Sequence, residues 1–203
     1  MSRSILSQAL PLAFVGLFAL APLASAQVPK GFSADPAAAP SGAYKLDPRH
    51  TNVTAVVVHM GMSNFAMRLK GVTGSLDFDA ADPTRSHLDV TIDPASLDTG
   101  VPALDQEVVA AFKPEPMHFV STAIEKTGPT SGRITGALTF HGVTRPVVLD
   151  AVFNGSAAGP GGKRARMGFS ATGRLKRSEF GFTEFSTWAS DDVKLQIETE
   201  FSQ

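Results

Sequence analysis

The sequence predicts an all-β fold, a single domain of about eight antiparallel strands with one short helical crossover near its middle. Three observations predict it. From Tyr44 to the C-terminus apolar and polar residues alternate with a period of two, as they do when one face of a strand is buried. Turn-forming glycine and proline residues punctuate these segments. One stretch alone, Pro94 to Pro116, abandons the alternation for a helical spacing. So many strands in one domain form either a barrel or a two-sheet sandwich, and closure has the advantage of removing edge strands that would invite aggregation.

Taken in chain order, Val53, Ala55 and Val57 form the first apolar row, with Val56 and Val58 making that strand apolar on both faces. Phe65, Met67 and Leu69 alternate with Ala66, Arg68 and Lys70; Val72, Gly74, Leu76 and Phe78 alternate with Thr73, Ser75, Asp77 and Asp79. Leu88, Val90 and Ile92 make the next row. In the exceptional stretch Leu104, Val108 and Phe112 recur every fourth residue, as one face of a helix would; Pro102 suits its first turn and Pro114 stops it. Ile134, Gly136, Leu138 and Phe140 then run up to a loop, His141 to Arg145, and Val147, Leu149, Ala151 and Phe153 run away from it, a hairpin pattern. A glycine-rich turn is expected over 155–162, followed by Ala165, Met167, Phe169 and Ala171. The last strand carries Val193, Leu195, Ile197, Thr199 and Phe201 on one face.

The chain's start points to export. Arg3 precedes an apolar stretch from Ala9 to Leu23, too short and too interrupted by Pro11 and Pro22 to span a bilayer, and Ala24-Ser25-Ala26 offers a signal peptidase site before Gln27. The expectation is a signal peptide over 1–26, a flexible lead-in over 27–43, a domain over 44–203 and a periplasmic location. Loss of residues 1–26 removes one basic residue and leaves 17 basic against 19 acidic, a balance that gives no general attraction to nucleic acid. There is no cysteine, which excludes disulfides, thiolate metal sites and thiol chemistry.

Six segments in order resemble the YceI-like family of exported, lipocalin-like proteins that bind isoprenoid or other long-chain lipids. They are Tyr44 to Thr51 with His59 following, Asp93 to Gly100, Phe119 to Thr122, Gly136 to Val147, Arg177 to Gly181 and Asp191 to Glu198. The resemblance spans roughly Tyr44 to Phe201. It departs at Ala111 to Met117, where the family usually has paired aromatics, and at Phe65 to Leu69, where it usually has a glycine. The resemblance implies a lipocalin-like antiparallel barrel with an elongated pocket, and a periplasmic carrier for a polyisoprenoid, isoprenoid quinone or fatty-acid derivative. An accessory role in isoprenoid-quinone metabolism or electron transfer is the alternative.

On that reading the pocket is lined by Val53, Ala55, Val57, His59, Phe65, Phe78, Phe119, Leu138, Phe140, Ala151, Phe169 and Trp188, with His141, Arg145 and Arg177 as candidates for a ligand's head. Read without the resemblance, the mixture of small and large inward residues favours a packed core in which the two interdigitate. His50, His59, His118 and His141 fall at strand ends or loops, where a His-based metal site is the remaining rival; no H-E-x-x-H helix accompanies them. Neither G-x-S-x-G nor S-x-x-K is present. The expectation is therefore a binding protein rather than an enzyme, with no cofactor or metal, an apolar ligand as partner, no stable membrane insertion, and homodimerisation left open.

Overall fold

The alternating segments become eleven strands: β1 (Gly42–Leu46), β2 (Asn52–His59), β3 (Ser63–Leu69), β4 (Val72–Phe78), β5 (His87–Ile92), β6 (Leu97–Asp98), β7 (Met117–Lys126), β8 (Ser131–Phe140), β9 (Val143–Ala158), β10 (Ala165–Lys176) and β11 (Asp192–Ser202). Among the described residues one α-helix, α1 (Pro102–Ala111), lies between β6 and β7, with proline in its first turn. The structure is a computed structural model and describes residues 28–112, 115–158 and 164–203. The expected signal peptide lies outside the described residues.

All pairings are antiparallel, and β1-β4-β5-β7-β8-β9-β10-β11 form a ring of eight that closes where β11 meets β1. The three remaining strands lengthen the wall at one end. β11 pairs its last residues with β1 (Leu46 opposite Phe201) and its first half with β2 (Asn52 opposite Glu198, Val56 opposite Lys194). Thus β1 and β2 are two halves of one bent strand, and β3/β4 and β5/β6 repeat the device. The bends lie side by side. The Asp47 N–H reaches the Glu200 carbonyl at 2.8 Å, and the Asp93 N–H reaches the Gly71 carbonyl at 2.8 Å. A side chain at Gly71 would stand 2.8 Å from the Ser96 β-carbon, so glycine lets neighbouring bends touch.

Antiparallel order sorts the loops into two groups. The β2–β3 tip, α1, the β8–β9 turn and the segment 177–191 gather at one end, the open end. The β4–β5 and β7–β8 connections and the start of β1 gather at the other. Ring pairing runs from β5 to β7 (Ile92 opposite Met117), but β6 pairs only with β3, so at the open end α1 packs beside β6 and completes the wall.

The opposite end is filled. Tyr44 and Met167 are almost inaccessible there, with Phe78, Phe153 and Phe201 buried around them. Phe169 meets Phe153 and Phe201 edge to face, at centroid distances of 5.4 and 6.0 Å, the arrangement that aromatic quadrupoles favour. The Tyr44 hydroxyl donates to the Pro40 carbonyl at 2.6 Å, so its one polar atom is satisfied, and burial raises the phenol's pKa.

Three boundaries differ from the sequence reading. The loop expected over 141–145 is a two-residue turn, His141-Gly142, with φ of 54° and 75°; Thr144 and Arg145 already belong to β9. Both positive φ values match the primed turn whose twist suits a tight hairpin. The first part of the turn expected over 155–162 belongs instead to β9, which continues to Ala158; residues 159–163 lie outside the described residues. The segment read as a flexible lead-in is docked: Ser33 and Ser156 exchange backbone hydrogen bonds, Ala39 is buried, and β1 starts at Gly42. The Phe32 ring covers Gly155, where any β-carbon would collide with it. A Pro/Ala/Gly-rich stretch has no period, yet its backbone donors and small side chains still pack.

Candidate functional site

Inward rows from nearly every strand surround a cavity of about 530 Å³, within the range of ~300–1,000 Å³ typical of small-molecule sites. Its floor is set by Leu46, Leu76, Phe169 and Phe201 above the packed end. Val53, Ala55, Val57, Phe65, Met67, Leu88, Val90, Phe119, Leu138, Ala151 and Ile197 form walls. At the open end α1 contributes Leu104 and Val108 and its C-cap Phe112, three residues that recur every fourth position, and the segment 177–191 contributes Phe182, Phe185 and Trp188.

The lining contains five side chains that are charged or carry a non-aromatic polar group or imidazole: Thr51, His59, Glu107, Arg177 and Thr199. Thr51 and Thr199 satisfy each other at 2.9 Å. His59 and Glu107 sit toward the mouth on β2 and α1. The interior can exclude water from a chain of methylenes and has few groups to hydrogen-bond a polar one.

Aromatic rings close over the far side. Phe112 stands edge to face with Phe140 at 5.5 Å and 5.0 Å from Phe182, which lies 5.7 Å from Phe140 and 6.4 Å from Phe185. Arg177 holds this roof. Its Nε donates to the Ser190 carbonyl at 2.9 Å, its Nη2 to Ala189 at 3.0 Å, and its Nη1 to Phe182 at 3.3 Å and to Glu184. The guanidinium also lies 5.8 Å over the Phe182 ring. Buried carbonyls without partners are costly, and this arginine gathers four of them from one irregular segment.

Of the residues proposed from sequence, Val53, Ala55, Val57, His59, Phe65, Phe119, Leu138, Phe140, Ala151, Phe169 and Trp188 all face this cavity. Phe78 does not: it is buried at the filled end, below the floor. The three head-group candidates separate. Arg177 lines the cavity, but its guanidinium is engaged by backbone carbonyls rather than presented to a ligand's head. Arg145 is exposed on β9, where it donates to the Thr144 carbonyl, and is not part of the lining. His141 occupies the β8–β9 turn against the Phe140 and Phe182 rings, outside the lining. The α1 face, Phe182 and Phe185 were missed as site residues. The period-four spacing of Leu104, Val108 and Phe112 was the available signal, whereas Phe182 and Phe185 sit in a segment without periodicity.

The inward glycines make room for protein atoms. A β-carbon at Gly136 would collide with the Phe119 ring, and one at Gly173 would stand 2.7 Å from a Leu149 methyl.

The histidines do not converge. His118 bonds Asp89 at 2.8 Å on the outer face of β7. His50 lies at the bend after β1, where its Nδ1 is 3.0 Å from Asp47 and 3.9 Å from Glu200, the one trio among the described residues close enough to share an ion. Arg166 already serves these carboxylates, at 3.1 Å from Asp47 and 3.2 Å from Glu200, and a metal ion would have to face its guanidinium. The hydrogen bond from His50, followed by that from the Arg49 N–H, lowers the Asp47 carboxyl to a pKa of about 2. This cluster staples the bent strand β1/β2 to β10 and β11.

Comparison with known proteins agrees with this architecture. The family model described as the YceI-like domain matches residues 44–201. A UPF0312 protein of Serratia proteamaculans is 36% identical over 165 residues, covering 77% of this chain and 84% of the relative. Among solved structures, a Campylobacter jejuni YceI protein superposes with a TM-score of 0.63 at 37% identity, covering 71% of this chain and 88% of the other. BcnA of Burkholderia cenocepacia gives a TM-score of 0.66 at 23% identity, covering 76% and 98%, and a polyisoprenoid binding domain from Saccharophagus degradans 0.56 at 12%, covering 78% and 97%; these two share the fold.

Proposed function

The chain belongs to the YceI-like domain family, and from that premise we propose that it is an exported, periplasmic carrier whose barrel encloses a ligand with a long apolar chain, binding it without chemical change. The observation that carries the reading is the cavity itself: about 530 Å³ bounded by aliphatic and phenyl side chains, with its threonine pair self-satisfied and its arginine engaged by backbone carbonyls. Ten buried methylenes contribute about 8 kcal/mol before ordering and association costs, so a tail alone supplies useful affinity. A polyisoprenoid, an isoprenoid quinone or a fatty-acid derivative meets this description. The polyisoprenoid binding domain from Saccharophagus degradans shares the barrel, which supports the first of these by analogy of fold. The ligand's polar head belongs at the mouth, beside His59, Glu107 and Trp188, because the rest of the wall offers it nothing.

Native mass spectrometry of protein purified from its own host, followed by lipid extraction, should find a stoichiometric long-chain lipid. Ala55→Phe, which places a ring in the bore, should abolish binding of prenyl and acyl lipids while the barrel still folds. A folded Ala55→Phe protein that binds them as well as the unaltered chain would remove the cavity as the site.

A further inference from the structure

The open end carries an exposed apolar surface beside the cavity mouth. From Thr51 to Met67 the chain has no Asp, Glu, Lys or Arg, and these residues form the β2–β3 hairpin. Its tip, Met60-Gly61-Met62, is a tight turn with φ of 51° at Met60 and 70° at Gly61, closed by the Met62 N–H on the His59 carbonyl at 2.9 Å. Met62 is 74% exposed, and Val58 and Met60 are exposed beside it. Trp188, 52% exposed, is fastened to this tip: the Met60 N–H donates to the Trp188 carbonyl at 2.8 Å, and the Ser190 N–H to that of Val58 at 2.9 Å. The inward residues of the same hairpin, Val57, His59 and Phe65, line the cavity. An apolar, charge-free projection with a tryptophan at its base therefore stands at the cavity's entrance.

We propose that this projection, Met60, Met62 and Trp188, docks the barrel mouth on a lipid bilayer surface, so that an apolar chain passes between bilayer and cavity without crossing water. The ligand half of this statement rests on the carrier reading above. Three features choose a bilayer over a second protein. Burying a charge in the acyl region is expensive, and this tip has none to bury. Tryptophan, apolar in body with one N–H, suits the head-group level. The projection is narrow and continuous with the cavity, so it can reach the acyl boundary, as interfacial elements do to a depth of ~5–10 Å. With Glu107 and Glu184 exposed near the mouth, a zwitterionic surface suits it better than an anionic one.

Trp188 is the chain's one tryptophan and stands where this surface meets the cavity mouth, so its fluorescence reports on that end of the barrel. Titrating the chain with phosphatidylcholine vesicles should shift its emission to the blue, and brominated phosphatidylcholine should quench it. Association through residues 1–26 would leave Trp188 unquenched. Met62→Glu alters an exposed side chain outside the cavity; it should keep the thermal midpoint and the binding of a dispersed fluorescent prenyl or acyl lipid, yet weaken vesicle partitioning about tenfold or more. Absence of quenching in the unaltered chain, or equal partitioning of the variant, overturns the proposal. So does a concentration-dependent dimer, seen by sedimentation, that Met62→Glu dissociates, since the tip would then serve a second copy. Vesicle docking without uptake of the dispersed lipid removes the carrier reading and leaves the docking surface standing; uptake without docking does the reverse.

Discussion

At one end of the barrel Tyr44, Phe78, Phe153, Met167 and Phe201 fill the bore until Tyr44 and Met167 are nearly inaccessible; at the other, Val57, Phe65, Phe112 and Phe185 stand around a cavity. Both ends are built from inward apolar residues at period two, and by composition they are hardly distinguishable. They differ in how the wall is made. Around the filled end the strands form an unbroken ring, and large side chains from opposite walls meet. Toward the open end β1, β4 and β5 give way, past their bends, to β2, β3 and the two-residue β6, and a helix and an irregular segment complete the enclosure. A β-carbon alternation therefore buries a face, but whether that face meets a neighbour or a ligand depends on the width of the wall it belongs to.

The largest expected effect tests the packed end directly. Phe153→Ala removes a ring wedged against Phe169 and should cost about 3–5 kcal/mol. Phe65→Ala, on the cavity wall, should cost about 1 kcal/mol or less while weakening lipid binding. Denaturant titrations of the two variants provide the comparison, and similar losses would mean that the open end is packed as tightly as the other.

Next comes the roof of the open end. Arg177→Ala orphans four carbonyls and should cost about 2–4 kcal/mol, with Arg177→Lys recovering little because one ammonium cannot reach all of them. Limited proteolysis should show cleavage moving into 181–190 before any change elsewhere.

The bend between the two regions should be sensitive to acid. Asp47 titrates near 2 when folded and near its ordinary value of 3.8 when unfolded, so between those values the unfolded chain binds more protons. Its stabilisation is complete above about pH 4 and fades as pH falls toward 2. The difference in thermal midpoint between the unaltered chain and Asp47→Asn should shrink over that window; a constant difference would show that the carboxylate is not held as described. The smallest effect is Tyr44→Phe, which deletes the hydrogen bond to Pro40 and should cost about 1 kcal/mol by calorimetry, with lipid binding unchanged.

Much of this was legible in the sequence because it is local. The rows Val53-Ala55-Val57, Phe65-Met67-Leu69 and Val193 to Phe201 do point inward, and the helix occupies 102–111 between the prolines that mark it. Eleven of the twelve wall residues proposed from sequence face the cavity, because alternation decides the face of a strand one residue at a time. Phe78 failed because alternation carries no depth: it gives the same inward sign to a residue above the floor and to one below it. Arg177 read as a candidate for a ligand's head because its actual partners, the carbonyls of 182–190, are arranged by the same irregular loop that it holds.

The sequence by itself determined the all-β class, the inward and outward faces of the strands, the position of α1, and the charge-free run from Thr51 to Met67. These follow from residue identity and short-range periodicity. Ring closure between β11 and β1, the three aligned bends, which end is open, and the presence of a cavity rather than a filled bore were decided only in the tertiary structure. A cavity is what remains when the volumes of side chains from opposite walls are subtracted from the space between those walls. That remainder involves residues as far apart in the chain as Phe65 and Trp188, and no local pattern records it.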